Sequence, residues 1–303
     1  MDEQGWVTEE VNPATAAIDT LSARQIVELI NAEDAKVAPA VARELDAIAA
    51  AVEAIVERLG RGGRLIYVGA GTSGRLGILD AAECPPTFNI PPGQVVALIA
   101  GGSEAMSRAV EEAEDDEGRG RADVAALDAG PDDVVVGISA SGHTPYVLGA
   151  VAEARARGAF TIGLTCNRPS PLGRMVDLEI APIVGPEAIA GSTRMKAGTA
   201  QKMVLNMLST ASMILLGKTY GNLMVDVVAT NAKLRARAVR IVALATGLGR
   251  EEAKALLERC DGEAKTAIVA GLARVSPEEA RRRLARTGGR VRQALEGHRG
   301  HRD

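Results

Sequence analysis

Five short runs of aliphatic and β-branched residues constrain this chain more than any other feature. They are RLIYVG from Arg64, QVVALIAG from Gln94, DDVVVGISA from Asp132, FTIGLTCN from Phe160 and DLEIAPIV from Asp177. Gly, Ser or Thr follows each of the first four, helix-like segments then follow the first three, and a further helix follows the fifth. Nearly continuous apolar strands are buried on both faces, and their alternation with helices implies a parallel sheet joined by right-handed crossovers. The expected fold is therefore α/β, a parallel sheet of about five strands flanked by helices. Ligands of such sheets collect where the carboxyl ends of the strands meet helix N-termini.

The 303 residues leave room for more around this sheet, at roughly 150 residues per domain. Apolar positions at three- and four-residue spacing from Leu21 to about Gly60 predict two helices, with Pro39 near their join. Residues 1–19, without period and broken at Asn12-Pro13, read as an extended arm. After Gly191 two long helices are expected, roughly Arg194–Gly217 and Asn222–Gly247, the second with a solvated basic face of Lys233, Arg235, Arg237 and Arg240. Short helices separated by Gly262, Ser276-Pro277 and Gly288-Gly289 follow, then a basic tail, GHRGHRD. The expected division is 1–52 for the arm and first helices, 53–218 for the sheet domain and 219–303 for a small C-terminal helical region.

Charge and composition exclude several function classes. Thirty-five Lys and Arg against 39 Asp and Glu give a net charge of −4, so no overall positive field draws in nucleic acid or an anionic bilayer. Six aromatic residues (one Trp, three Tyr, two Phe) are too few for a platform that stacks single-stranded bases. Cys84, Cys166 and Cys260 are far apart and form no CxxC pair, which fits a reducing compartment and argues against a disulfide framework or zinc site. The start, MDEQGW, is acidic where a secretion signal is basic. The run from Met203 is interrupted by Asn206, Ser209, Thr210 and Ser212, short of the about 18 apolar residues of a spanning helix. A cytoplasmic protein with one buried helix there is expected.

Two loops carry the chemistry. The first strand ends in Gly69-Ala70-Gly71-Thr72-Ser73-Gly74, which satisfies GxGxxG. A dinucleotide site also needs an acidic residue at the end of the second strand for the ribose hydroxyls, and that strand ends Ile99-Ala100-Gly101-Gly102. A plain strand-to-helix turn explains the glycines as well. The third strand, however, ends in a second hydroxyl-rich loop, Ser139-Ala140-Ser141-Gly142-His143-Thr144. Hydroxyls and the unpaired N–H groups of helix N-termini, converging from two loops, suit one phosphate monoester. The competing account is that Ser73, Ser139, Ser141 and Thr144 cap helices. His143 is read as structural, since neighbours on such a turn seldom point at one another.

GAGTSG followed by SASGHT resembles the sugar isomerase domain, whose loops hold phosphosugars. The linked runs GAGTSGRLGILDAAECPPTF, EEAEDD, GSTRMKAGTAQK and NAKLRARAVRIV are similar to those of the N-acetylmuramic acid 6-phosphate etherases. The likeness begins at Thr8-Glu9, passes through Asn12-Pro13, Ile18-Asp19 and Leu21-Ser22, and reaches the C-terminal helical region. Two positions depart from it, Val11 where Arg is usual and Asn89 where a small residue is commoner.

The resemblance implies two catalytic carboxylates, Glu83 of ECPPTF and Glu114 of the AEDD run; by themselves both read as solvated surface residues. The helix opened by Ser73 is expected to carry Leu76, Leu79 and Ala82 on one face and to stop at Pro85-Pro86. For substrate binding the expected residues are Gly71, Thr72, Ser73, Ser139, Ser141 and Thr144, with Ser192, Arg194 and Lys196 facing the same crevice beside Thr193. The implied reaction is elimination of D-lactate from C3 of the phosphosugar and hydration of the unsaturated aldehyde, with no metal, flavin or nicotinamide, in a homodimer. The alternatives are an aldose–ketose phosphosugar isomerase, and a non-catalytic phosphosugar sensor resembling the glucokinase regulatory protein. A glutamine-dependent aminosugar synthase is disfavoured by Asp2, which leaves no cysteine to become an N-terminal nucleophile.

Overall fold

The computed structural model describes residues 6–227 and 232–296; the expected basic tail, 297–303, lies outside them. The chain divides into two compact units, 1–82 with 93–209, and 83–92 with 210–303. In chain order the helices are α1 (Ala23–Asp34), α2 (Val37–Ala42), α3 (Leu45–Gly60), α4 (Gly71–Phe88), α5 (Glu117–Ala126), α6 (Pro145–Ala156), α7 (Pro171–Met175), α8 (Lys196–Leu215), α9 (Ala232–Thr246), α10 (Arg250–Arg259), α11 (Ala264–Ala273), α12 (Pro277–Arg286) and α13 (Val291–Glu296). The strands are β1 (Leu65–Gly69), β2 (Val95–Ile99), β3 (Val134–Ile138), β4 (Phe160–Leu164) and β5 (Leu178–Ile180).

The expected five strands form one parallel sheet in the order β2-β1-β3-β4-β5. β1 and β3 are buried at every position, as the unbroken apolar runs require. Ile66, Val68 and Val135 pack with Val124 of α5, Tyr146, Val147 and Val151 of α6, and Leu172 of α7. On α4 the close approach to the sheet is made by glycine: a Cβ at Gly74 would lie 2.5 Å from Ile99 Cγ1, and one at Gly77 would lie 3.0 Å from Tyr67 Cβ. The buried face of α4 is therefore Ser73, Gly74, Gly77, Asp80, Ala81 and Cys84. The expected apolar face is wrong, since Leu79 is 47% exposed.

Proline also acts differently from expectation. α4 does not stop at Pro85-Pro86 but continues to Phe88, where burial of Phe88 and Ile90 holds the last turn. Asn89 then ends the helix in the left-handed region, φ 49°, a conformation that asparagine tolerates, which accounts for its place there. Three helices, not two, precede the sheet, because Pro39 sits in the first turn of α2, where its missing N–H has no helical partner to lose. The arm is not extended throughout: Pro13–Thr15 and Ile18–Thr20 are 3-10 turns, and Thr8, Asn12 and Thr15 are buried.

Buried polar groups tie α1, α4 and α8 to the sheet. Lys196 Nζ, on a side chain 2% exposed, meets Glu33 Oε2 of α1 at 2.6 Å. Asp80 accepts from Tyr67 Oη (2.9 Å), Asn206 Nδ2 (2.7 Å) and Ser209 Oγ (3.1 Å). In the second unit, α11 is buried almost all round against α9, α10, α12 and α13. Gly262, Ser276-Pro277 and Gly288-Gly289 separate these helices where the sequence puts the breaks. The basic residues of α9 are exposed as expected, but that helix starts at Ala232 among the described residues; 222–227 form a turn with a Tyr220–Leu223 bridge. None of the described helices is long and apolar enough to cross a membrane.

Removing one partner of a buried ion pair strands the other charge, at a cost of about 3–5 kcal/mol. Glu33→Gln is expected to lower the urea midpoint accordingly, whereas Glu33→Leu combined with Lys196→Met should recover most of that loss. Burial raises the Glu33 carboxyl, but hydrogen bonds from Lys196 and Lys36 outweigh it and hold the group below its ordinary value. The pair's contribution is thus present above the unfolded-state value of 4.5 and is lost as pH falls through the lower folded value. Urea titrations of wild type and Glu33→Gln across the acid range check it; parallel curves would refute the assignment.

Candidate active site

Strand order decides where a site can form. From β1 the chain runs outward to β2, then returns to β3 on the other side and continues to β4 and β5. Connections leaving the carboxyl ends of β1 and β3 diverge and open a crevice between them, the switch point at which ligands bind in open α/β sheets. Gly69 pairs with Ile138 across these two strands, so Gly69–Gly74 and Ser139–Thr144 leave adjacent points of the sheet's edge.

Gly71 opens α4 with φ +51°, and a Cβ there would lie 3.0 Å from Glu114 Oε1. The missing side chain is the space that the Glu114 carboxylate uses. Glu114 lies in the 3-10 turn Glu111–Asp115 that follows β2, and it is half-buried. Burial first, then the charges of Asp115 and Glu111, push its carboxyl above the ordinary value, against a smaller opposing effect of Arg75. Arg75 is fixed by hydrogen bonds from Nε to Ala105 O (2.9 Å) and from Nη2 to Arg108 O (3.1 Å). Over a glycine turn, a carboxyl whose protonated form is favoured by burial can take up a proton and return it.

The hydroxyls of the second loop converge. Ser139 Oγ lies 2.8 Å from Thr144 Oγ1 and 3.4 Å from Ser141 Oγ, while Gly142 N donates to Ser139 Oγ at 3.0 Å and His143 N to Ser141 Oγ at 3.2 Å. Thr144 is the N-cap residue of α6, yet its side chain makes no capping bond. Capping does not account for this cluster. In the first loop Ser73 Oγ donates to Gln201 Oε1 of α8 at 2.9 Å, and Thr72 packs on Gly198, whose Cβ would lie 3.3 Å from Thr72 Cγ2.

The start of α8 is closed from within. Glu187, buried, accepts from Lys196 N (3.0 Å) and Ala197 N (2.9 Å), so this helix N-terminus already holds a carboxylate. Lys196, expected to lend charge to a ligand, is spent on Glu33. Ser192 is half-buried, and Arg194 is exposed and forms no ion pair among the described residues. The first unit thus brings together Gly71, Thr72, Ser73, Glu114, Ser139, Ser141 and Thr144. Glu83 falls in the second unit, exposed in the last turns of α4. Among the described residues no group of three or more His, Cys, Asp or Glu is arranged to hold a metal.

Residues missed in the sequence are Arg75, Gln201 and Asn167. Arg75 and Gln201 sit inside GAGTSGR and AGTAQK, but nothing in those strings tells a structural cation or amide from a surface one. Asn167 is the last residue of FTIGLTCN; a polar residue at the carboxyl end of a strand, at the edge where ligands gather, was the available signal.

Comparison with known proteins places this site in context. The glucokinase regulatory protein N-terminal SIS domain family matches residues 47–155, and the SIS domain family matches residues 106–211. The N-acetylmuramic acid 6-phosphate etherase of Rubrobacter xylanophilus is 60% identical over 97% of this chain and 98% of its own length. That of Streptomyces coelicolor is 58% identical over 95% of this chain and 93% of its own. Among solved structures, a phosphoheptose isomerase from Neisseria gonorrhoeae is 21% identical with a TM-score of 0.50, covering 63% of this chain and 98% of its own, a likeness of fold alone.

The charges around Glu114 make a test that needs no substrate. Asp115→Asn removes a repulsive neighbour and should lower the Glu114 carboxyl titration, whereas Arg75→Gln removes an attractive one and should raise it further. Carboxyl carbon-13 NMR of the two variants measures both shifts. Movement of both in one direction would show that the site is not organised as described.

Proposed function

The chain belongs to the N-acetylmuramic acid 6-phosphate etherase family, and from that membership we propose that it is a carbon–oxygen lyase. In this reading it converts N-acetylmuramic acid 6-phosphate to N-acetylglucosamine 6-phosphate and D-lactate in recycling of cell-wall amino sugar. The observation that carries the chemistry is the Glu114 carboxyl, raised by burial and lying against the Gly71 turn. The hydroxyls of Ser139, Ser141 and Thr144, with the turn Gly71-Thr72-Ser73, hold the phosphate, and Ser192 and Arg194 line the same crevice.

An ether oxygen is a poor leaving group, so the sugar must help. Opening the ring exposes an aldehyde at C1, which acidifies the proton on C2. Glu114 removes that proton, and burial favours the protonated form it then takes. Glu83 protonates the departing C3 oxygen, lactate leaves, and water adds to the double bond with return of a proton to C2. The charges balance within the two carboxyl groups. An isomerase would also abstract the C2 proton but would release no lactate, and a sensor would have no use for a half-buried, raised Glu114. A cytoplasmic homodimer, formed through the N-terminal helices and the long late helices, completes the proposal.

Incubation with N-acetylmuramic acid 6-phosphate and an enzymatic assay for D-lactate is the first test. Glu83→Gln and Glu114→Gln should each slow lactate release by about 10²–10⁴-fold, the usual worth of a proton-transfer group. Exchange of the C2 proton with deuterated solvent should survive Glu83→Gln and be lost in Glu114→Gln; the reverse pattern exchanges their roles. In oxygen-18 water the label should enter the C3 hydroxyl of the sugar, and label in lactate would exclude the elimination. The unphosphorylated sugar should be a very poor substrate; equal turnover would refute the phosphate cradle.

A further inference from the structure

The arm motif Thr8-Glu9 and Asn12-Pro13 has no part in the chemistry above, yet it is fastened to the walls of the crevice. Thr8, 1% exposed, donates its backbone N–H to Asn167 Oδ1 at 3.3 Å. Asn167 Nδ2 donates back to Thr8 Oγ1 at 2.9 Å, and also reaches Ala140 O (3.3 Å) and Ser141 O (3.4 Å). Asn167 is itself 3% exposed, and its amide binds the arm on one side and two carbonyls of the hydroxyl loop on the other. Two residues earlier, Trp6 stacks on His143 with ring centroids 3.9 Å apart, and His143 Nδ1–H donates to Ser141 O at 2.8 Å. Ser141 O therefore receives both anchors. Further along, Asn12 Nδ2 donates to Pro186 O (3.2 Å) and Thr15 Oγ1 to Ala188 O (2.9 Å).

We propose that the N-terminal arm is part of the phosphosugar site, with Thr8 acting through Asn167, and Trp6 through His143, as positioning residues that hold the Ser139–Thr144 loop in its binding geometry. An amide N–H bond to a carbonyl fixes the peptide plane on which the next hydroxyl is carried. With Ala140 O and Ser141 O both directed at Asn167, the Ser139 and Ser141 side chains are held at the mouth of the crevice before ligand arrives. Such preorganisation lowers the cost of binding, so its loss appears in affinity rather than in the chemical step. None of these four residues needs to touch substrate for the effect.

The proposal rests on the reading of that loop as a phosphate cradle and is tested by binding as well as by turnover. Thr8→Val keeps the buried shape and removes only the hydroxyl; Asn167→Ala removes both anchors of the amide; Thr8→Ser restores the hydroxyl. Calorimetry with N-acetylglucosamine 6-phosphate and kinetics of lactate release are measured at matched thermal midpoints. Thr8→Val and Asn167→Ala should raise Kd and KM about tenfold with kcat within about threefold, and Thr8→Ser should restore wild-type values. Trp6, the one tryptophan of the chain, supplies a second readout: its emission should change on ligand binding in wild type and shift to the red in ligand-free Thr8→Val. Unchanged Kd and emission in Thr8→Val, or a fall in kcat with KM unaltered, would overturn the proposal. Wild-type protein that binds the phosphosugar but releases no lactate would defeat the etherase reading and leave the effect of the arm on Kd decisive.

Discussion

The reversal of strand order between β1 and β3 is the constraint on which the site depends. Two adjacent parallel strands whose connections leave in opposite directions must open a gap at their carboxyl ends, and that gap is lined by whatever residues the next turns carry. Here those turns are Gly69–Gly74 and Ser139–Thr144. The glycines serve two purposes within one turn: Gly74 lets α4 lie on β1 at backbone distance, and Gly71 leaves room for a carboxylate. In this chain the GxGxxG spacing thus serves helix packing on the sheet and the approach of Glu114 to the turn.

Burial perturbs two carboxyl groups of the first unit. Glu114 and Glu187 are both half or fully buried carboxyl groups raised first by desolvation, but their surroundings differ. Glu187 spends both oxygens on the N–H groups that open α8, so it is a structural cap. Glu114 faces a turn and two like charges instead. The same contrast separates the cations: Lys196 is neutralised inside the fold by Glu33, and Arg194 stays exposed. Residue type alone would have treated the members of each pair alike.

Around this crevice the first unit is held by polar contacts of high sequence separation. Glu33 to Lys196, Asp80 to Asn206 and Ser209, and Thr8 to Asn167 each join segments more than a hundred residues apart. Apolar burial forms the sheet and its helical layers; these bonds choose the register in which the arm, α1 and α8 meet it. A wrong register would leave charged or amide groups buried without partners, which costs more than any one contact returns.

Strand number and the loops of the site were legible in the sequence because they depend on local pattern. Five short runs rich in apolar residues pointed to strands, and the Gly, Ser or Thr after each of the first four pointed to turns. The breaks among the C-terminal helices were equally local, set by Gly262, Ser276-Pro277 and Gly288-Gly289. What failed were inferences that needed to know what lies beside a residue. Pro85 and Pro86 read as a stop, but burial of Phe88 outweighed the lost helical bonds; Leu79 read as core, but the close glycine packing of α4 turned another face to the sheet. The pairing of Lys196 with Glu33, the approach of Glu114 to Gly71 and the anchoring of Thr8 by Asn167 were decided only by the tertiary structure. Each joins residues distant in sequence, and desolvation, which sets whether a charge is paired, perturbed or free, exists only once the chain has closed around it.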